Sequence, residues 1–176
     1  MSCETAATWR VYEINKYSPG VRRKRSFDGE WISCGDILDD TLTKAEYLVV
    51  EDRYVRAVAM LCAEFSPVTA GEIERWEDES ALLRNLGLED VFSVAAPVAG
   101  QVLDEGLIEN ITRRCLREVG WLEIVSAPHL VIHFTWDLRV LVGVSRDCSV
   151  IFDAIKDDGL FVYDSRAELD TLAAWS

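Results

Sequence analysis

Histidine, aspartate and arginine are concentrated in one short stretch, "LVIHFTWDLRVLVGV", at residues 130–144. His133, Asp137 and Arg139 lie within seven positions, and His129 stands four residues before His133. A histidine beside an acidic group is a common pair for general acid–base catalysis. Two histidines four residues apart on a helix can ligate one metal ion. Which chemistry is available therefore depends on the secondary structure that carries these residues.

Apolar residues occupy every even position from Leu130 to Val144, and this alternation predicts β-structure. One straight strand of this length would span roughly 50 Å, at about 3.3 Å per residue, which far exceeds common strands. A loop or a bend must therefore interrupt the strand. Because apolar residues stay at even positions on both sides of it, such a loop has an odd number of residues. We therefore expect a three-residue loop, Thr135-Trp136-Asp137, that places Phe134 opposite Leu138. A bent or bulged strand is the alternative.

The strand assignment argues against a metal site, because His129 and His133 then lie about 13 Å apart. His133 can still meet Asp137 or Arg139 near the turn, but the sequence places no Ser or Cys beside it as a nucleophile. The favoured interpretation is a hydrogen-bonded histidine in a sheet. A small hydrolase or transferase that uses His133, Asp137 or a cysteine such as Cys34 is the alternative. No metal and no other cofactor is expected.

The composition predicts a single domain, residues 1–176, because 49% of the residues are hydrophobic and no repeat or linker divides the chain. No run approaches the roughly 20 apolar residues that span a bilayer, and the N-terminus lacks the pattern of a signal peptide. We therefore expect a cytoplasmic protein without membrane contact. The five cysteines are widely spaced and odd in number, which favours reduced, mostly buried thiols.

Local patterns predict an α+β fold in which a mostly antiparallel sheet is packed by two to four helices. The surest helix covers residues 43–65, with a capping box at Thr43 and Glu46, an apolar stripe up to Phe65 and Pro67 as a stop. A second helix is expected at residues 105–119. A short helix before the turn Asp157-Asp158-Gly159, a strand at residues 160–163 and a terminal helix capped by Ser165 complete the C-terminal part. That turn is favoured over a calcium loop, whose spaced ligands are missing.

Two segments are less regular. The first strand, from about Trp9, is expected to end at Ser18-Pro19-Gly20, with a return strand through Arg25 and Phe27. The basic run at residues 22–25 would then be a solvated strand or hairpin edge, which is favoured over a nucleic-acid patch. Residues 67–103 predict a strand or loop containing Ile73 and Trp76, followed by a short helix and a strand.

Charge is distributed unevenly. The formal net charge is −13; residues 1–66 carry −2 and residues 67–176 carry −11. Such a surface repels phosphate backbones and anionic lipids and attracts basic molecules. It excludes direct nucleic-acid binding as the favoured function and points to a basic protein partner, although solubility alone is an equally simple explanation.

Five phrases in order resemble a family: "DGEWISCGDIL", "LTKAEYLVVEDRYVRAVAMLC", "RCLREVGWLEI", "HFTWDLRVLVGV" and "DGLFVYDS". They are similar to small cytoplasmic immunity proteins of bacterial contact-dependent inhibition and related polymorphic toxin systems. The resemblance covers roughly half the chain and implies a binding protein rather than an enzyme. Its partner would be a cognate toxin domain, and a basic nuclease would suit the acidic surface.

The expected toxin contacts are the acidic residues without a visible structural role, together with one neighbouring tryptophan. They form three groups: Glu72, Glu74, Trp76, Glu77, Asp78 and Glu79; Asp104 and Glu105; and Asp153, Asp157 and Asp158. A merely solvated face is the alternative for each group. An acidic scaffold or regulatory subunit for a basic protein would use the same surface. The sequence leaves self-association and the toxin's activity open.

Overall fold

The computed structural model describes residues 9–24, 30–39 and 41–165, and these build one six-stranded sheet. The strands are β1 (Arg10–Asn15), β2 (Thr69–Trp76), β3 (Gly120–Ser126), β4 (Leu130–Thr135), β5 (Arg139–Val144) and β6 (Phe161–Asp164). Their order is β2-β3-β4-β5-β1-β6, and every neighbouring pair is antiparallel. The predicted α+β fold is confirmed.

Five α-helices accompany the sheet in the described part of the chain: α1 (Pro19–Lys24), α2 (Lys44–Glu64), α3 (Ala81–Leu86), α4 (Glu105–Leu116) and α5 (Ser149–Asp157). Short 3-10 turns form at Cys34–Ile37 and Glu89–Ser93. Helix α2 lies between α4, which contacts β3, and α5, which contacts β6. None of these helices is long and apolar enough to cross a bilayer.

The core lies between α2, α4 and α5 and one face of the sheet. The even-numbered residues of β4 and β5, such as Ile132 and Val142, are fully buried against this helix layer. Helix α2 contributes Tyr54, Val58 and Leu61 from its apolar stripe. The alternating pattern of residues 130–144 therefore marks the core face, as the sequence indicates.

Helix α2 begins where the local sequence predicts. The Thr43 side chain accepts a hydrogen bond from the backbone N–H of Glu46, and the Glu46 carboxylate accepts one from the N–H of Thr43. This capping box satisfies two backbone donors that a helix N-terminus otherwise leaves open. The Thr43 hydroxyl also donates to the Glu46 carboxylate at 2.7 Å, and this bond together with that from the Thr43 backbone N–H lowers the pKa of the exposed Glu46 carboxyl.

The hairpin between β4 and β5 differs from the expected one by one position. Its loop is Trp136-Asp137-Leu138, and Phe134 pairs with Val140 rather than with Leu138. Asp137 and Leu138 adopt left-handed backbone angles, with φ of 66° and 53°, which is unusual for leucine. The Tyr17 hydroxyl donates to the Asp137 carbonyl at 3.1 Å, and the Tyr54 hydroxyl donates to the Leu138 carbonyl. These hydrogen bonds hold the loop.

The N-terminal interpretation is wrong for residues 19–24. They form α1, not the continuation of a strand or hairpin edge. Pro19 occupies the first helical position, where its fixed φ and missing N–H are tolerated. The basic residues Arg22, Arg23 and Lys24 therefore lie on helical backbone. The expected strand through Arg25 and Phe27 lies outside the described residues.

Residues 67–103 and the C-terminal part agree with the predictions in outline. The segment with Ile73 is strand β2, and α3 is the expected short helix; the strand expected after it is reduced to one bridge between Val102 and Thr69. The turn at residues 157–159 ends α5, with Gly159 at a φ of 95°. The predicted terminal helix lies outside the described residues, apart from Ser165.

Tyr54→Phe tests whether a tyrosine hydroxyl holds the hairpin loop. The substitution removes the donor to the buried Leu138 carbonyl, so we expect the free energy of unfolding to fall by about 1–3 kcal/mol. Urea denaturation measures this change. Tyr12→Phe is the matched control, because the Tyr12 hydroxyl makes no hydrogen bond within the described residues; its effect should stay within about 0.5 kcal/mol. Equal stability of both variants would contradict the role assigned to Tyr54.

Candidate functional site

The first group of predicted contacts forms a continuous acidic edge. Strand β2 is an outer strand of the sheet and exposes Glu72 and Glu74. The loop that follows β2 carries Glu77, Asp78 and Glu79, of which the last two are exposed. The strand has two irregularities in its pairing with β3, and such bulges with charged residues protect a sheet edge against pairing with other strands. This edge therefore presents its carboxylates to solvent rather than its backbone.

The structure does not bring the other two groups to this edge. Asp104 follows Leu103, whose N–H donates to the Val68 carbonyl just before β2, so it lies roughly 20 Å along the strand direction from Glu74. Asp153 and its neighbours lie on or after α5, which packs beside β6 at the opposite edge. Five strand spacings, about 24 Å, separate the two edges. The predicted contacts are therefore three separate surfaces.

Several of these acidic residues have structural partners that the sequence does not reveal. Asp104 caps α4 by accepting from the N–H of Leu107 at 2.8 Å. Asp158 receives two hydrogen bonds from Arg56, at 2.9 and 3.0 Å. The remaining ion pairs are Glu77 with Arg75, Glu79 with Arg84 and Asp153 with Lys156.

The other predicted acids make no salt bridge within the described ranges. They are Glu72, Glu74, Asp78, Glu105 and Asp157. Three of them, Glu72, Glu74 and Asp78, belong to the β2 edge. This edge therefore holds three of the five predicted acidic contacts that make no salt bridge.

Trp76 is half-buried and packs against the buried Arg114 rather than facing solvent. Its indole lies 4.0 Å from the guanidinium carbon of Arg114 in a cation–π contact. Trp136, at the tip of the β4–β5 hairpin, is 54% exposed. The aromatic residue available at the surface is thus Trp136. We use the term β2 surface for Glu72, Glu74, Asp78 and Trp136.

A cleft of about 400 Å³ joins the hairpin tip to the end of β2. Trp136 packs against Trp121 with ring centroids 4.4 Å apart, and Glu74 and Arg75 form the β2 side. The full lining is Glu74, Arg75, Trp121, His133, Phe134, Thr135 and Trp136. The cleft therefore combines aromatic walls with charged groups of both signs.

His133 lines this cleft and adjoins Glu123 on β3, not Asp137 as the sequence suggests. Its Nδ1 lies 3.3 Å from Oε1 of Glu123, because the pairing of β3 with β4 places these positions on one face of the sheet. Glu123 is only 7% exposed, and its Oε1 accepts no hydrogen bond from the described residues. The indole N–H of Trp121 is likewise buried without an acceptor there. Buried polar atoms without partners are uncommon and require an explanation.

The buried guanidinium of Arg114 fixes the loop that follows β2. It donates to the carbonyls of Glu77 at 2.7 Å, Val91 at 3.0 Å and Val94 at 3.0 Å. No carboxylate among the described residues hydrogen-bonds to it, and burial lowers the pKa of Arg114. Gly120 permits this packing, since a Cβ there would lie 3.0 Å from the Arg114 Cβ. The acidic loop is thus anchored to α4.

Ion pairs fix α4 against α2. Arg117 donates to both carboxylate oxygens of the buried Glu51 at 2.7 Å. Arg113 donates to Glu51 at 2.5 Å and to Asp52 at 2.8 Å. Burial opposes the charge of Arg117, but its hydrogen bonds with Glu51 outweigh this and raise the pKa of Arg117. Removing either arginine would leave a buried carboxylate short of donors.

Nucleophilic chemistry has little support in the described residues. The four described cysteines are buried, as predicted, and burial raises the pKa of Cys34 to about 11 and that of Cys115 to about 12. His129 Nδ1 lies 2.7 Å from the Ser145 hydroxyl, but no acid in the described part orients that histidine. No group of three or more His, Cys, Asp or Glu suited to a metal ion occurs there.

Comparisons with known proteins give no relative: no family model, no curated protein and no solved structure matches the chain. The resemblance to immunity proteins therefore rests on the five phrases alone.

Sequence reasoning misses Trp136 and Glu123 as site residues. The expected loop already contains Trp136, but the sequence does not show that its indole packs against Trp121 and lines a cleft with Glu74. Glu123 is detectable in principle, because pairing "LEIVS" with "LVIHF" around the turn at residues 127–129 sets Glu123 near His133.

Arg114→Met tests the anchor of the acidic loop. Methionine keeps much of the apolar stem but leaves the carbonyls of Glu77 and Val94 without their donor, while Asn110 still donates to Val91. We therefore expect the free energy of unfolding to fall by about 3 kcal/mol or more. Urea denaturation is the measurement. Arg84→Met is the control, because its ion pair with Glu79 is exposed and its loss should cost less than about 1 kcal/mol. An unchanged urea midpoint for Arg114→Met would refute the anchoring role.

Thiol labelling tests whether any described cysteine is reactive. The thiolate is the reactive form, and burial raises the pKa of Cys62 to about 12. We therefore expect the Cys3→Ser variant, whose four thiols are all described, to react with a disulfide reagent at pH 8 only as fast as it unfolds. Urea should release all four thiols. A thiol that reacts rapidly in the folded variant would support the cysteine-enzyme alternative.

Proposed function

We propose that this protein binds a basic partner protein through the β2 surface, and that the partner is a toxin domain which it neutralises. The observation that supports this most is the arrangement of exposed acids without internal ion pairs beside an exposed tryptophan. Both lie on a scaffold that Arg114 and the two tyrosines hold in place. We therefore favour a rigid binding face.

Charge and aromatic area have different roles at such a face. Carboxylates that lack internal partners attract a basic surface from a distance and speed the encounter. An exposed tryptophan packed against a second tryptophan supplies apolar contact with little loss of side-chain freedom, and tryptophan is enriched among the residues that dominate binding energy. Glu72 and Glu74 would attract the basic partner during the encounter, and Trp136 would supply the main apolar contact in the complex.

The identity of the partner as a toxin domain follows from the resemblance to immunity proteins. A nuclease domain is the favoured toxin, because its substrate groove must be basic to hold a phosphate backbone. An acidic face that fits such a groove would block substrate binding directly. An acidic scaffold for another basic protein would use the same physics, and the genes beside this one distinguish the two.

The hydrolase or transferase alternative has less support. It requires a nucleophile or an acid–base pair with an orienting group. His133 adjoins Glu123 rather than Asp137, and Cys34 is buried with a raised pKa. No single observation favours that chemistry over binding, so we do not propose it.

Charge reversal on β2 tests the binding face. For Glu72→Lys/Glu74→Lys we expect the association rate constant with the toxin domain encoded next to the gene to fall about 10- to 100-fold at low salt, because steering is lost. Stopped-flow fluorescence or surface plasmon resonance at several salt concentrations measures the rate. The difference from the unmodified protein should shrink as salt rises, since salt screens exposed charges.

Glu105→Lys/Asp157→Lys is the matched control, because it reverses two acids that also lack salt bridges but lie away from β2. Its association rate should fall much less. Equal loss in both variants would show that net charge, not the β2 surface, controls binding. In cells that express the toxin, the unmodified protein should restore growth; failure to do so would rule out neutralisation.

A further inference from the structure

We propose that the cleft between β2 and the hairpin tip binds the guanidinium group of an arginine side chain. The inference deepens the proposed function, on which it rests, since that arginine would belong to the basic partner. Charged groups of both signs and two indole rings meet in this cleft.

The exposed carboxylate of Glu74 is the first element of this site. It lines the cleft and makes no salt bridge within the described residues. Arg75 also lines the cleft, but it is paired with Glu77 and so does not neutralise Glu74. A cation that enters the cleft therefore meets an unpaired negative charge.

The second element is the buried carboxylate of Glu123, next to the cleft-lining His133. Glu123 is more than nine-tenths buried and lies behind His133, at 3.3 Å from its Nδ1. The Oε1 atom of Glu123 accepts no hydrogen bond from the described residues. A carboxylate in such a low-dielectric position adds negative potential over a longer range than an exposed one.

The third element is the pair of indoles. Trp136 exposes more than half its surface and packs against Trp121 with ring centroids 4.4 Å apart and planes tilted by 43°. Trp121 is nine-tenths buried and keeps the outer ring in place. A tryptophan face attracts cations, and guanidinium is the protein cation that stacks flat on such a face while it donates two hydrogen bonds to a carboxylate. Trp136 and Glu74 line the same cleft, so a guanidinium that enters it can meet both. An ammonium group can make only the point-charge part of this interaction.

Small arginine derivatives test the cleft without the partner. We would titrate the full chain with N-acetylarginine amide and follow the indole N–H signals of Trp121 and Trp136 by nitrogen–proton correlation NMR. N-acetylcitrulline amide has nearly the same shape but no charge. We expect saturable shifts of both signals with the arginine compound and about tenfold weaker binding of the citrulline compound.

Variants locate the site. Glu74→Gln should weaken binding of the arginine amide about fivefold, and Trp136→Ala by a similar factor. Glu105→Gln is the matched control: Glu105 is an exposed acid without a salt bridge in the described ranges and does not line the cleft, so its effect should stay within about twofold. Glu123→Gln, checked for folding by its spectrum, should weaken binding as well. If that variant does not fold, the two surface variants still decide the question.

Three outcomes would overturn the inference. They are equal binding of the arginine and citrulline amides, equal binding of N-acetyllysine amide, and unchanged affinity in both Glu74→Gln and Trp136→Ala. The test also separates this inference from the proposed function. If the arginine amide binds saturably but the toxin domain does not bind, the arginine site stands and the proposed function is refuted. If the toxin domain binds tightly even to the Trp136→Ala variant and the arginine amide does not bind, the proposed function stands and the arginine site is refuted.

Discussion

The buried guanidinium of Arg114 is the contact on which the proposed binding face depends. A charged group inside a protein is costly unless its donors are satisfied. Here the acceptors are neutral carbonyls from Glu77, Val91 and Val94, together with the face of Trp76. One residue of α4 therefore determines where β2 ends and where its acidic loop lies. The Arg114 side chain thus hydrogen-bonds to backbone carbonyls that lie far apart in the sequence. The position of the acidic surface loop follows from these buried contacts.

The ion pairs of Glu51 determine the position of α4, because they connect its C-terminal end to α2. Replacing a buried ion pair by apolar residues is often harmless, whereas removing one partner is severe. Such a network contributes little net stability, but it disfavours every alternative packing that would leave a charge unpaired. Arg113 and Arg117 bind the same carboxylate from one helix face, so a shift of α4 by one turn would break both contacts. The position of Arg114 depends on this constraint.

Sequence reasoning succeeds where the determinants are local. The capping box and apolar stripe of α2, and the alternation in β4 and β5, need only neighbouring residues, and both predictions are confirmed. The hairpin loop is displaced by one residue because Leu138 is held at positive φ by hydroxyls far away in the chain. Tyr54 and Tyr17 lie 84 and 120 residues from their acceptors. The cleft also depends on distant contacts: Trp136 lies in the loop in either register, but its packing against Trp121 and the position of Glu74 follow from strand pairing.

Net charge alone overstates how much surface can meet a basic partner. Carboxylates such as Asp158 and Asp104 already have donors within the chain, and using them in a complex would first break those contacts. Acids that lack such partners lose only water on binding, so their contribution to steering is not reduced by an internal competitor. Among the acids predicted as contacts, three of the five without a salt bridge lie at the β2 edge. Exposed charge pairs are each weak, so the proposed binding face also depends on the exposed indole of Trp136.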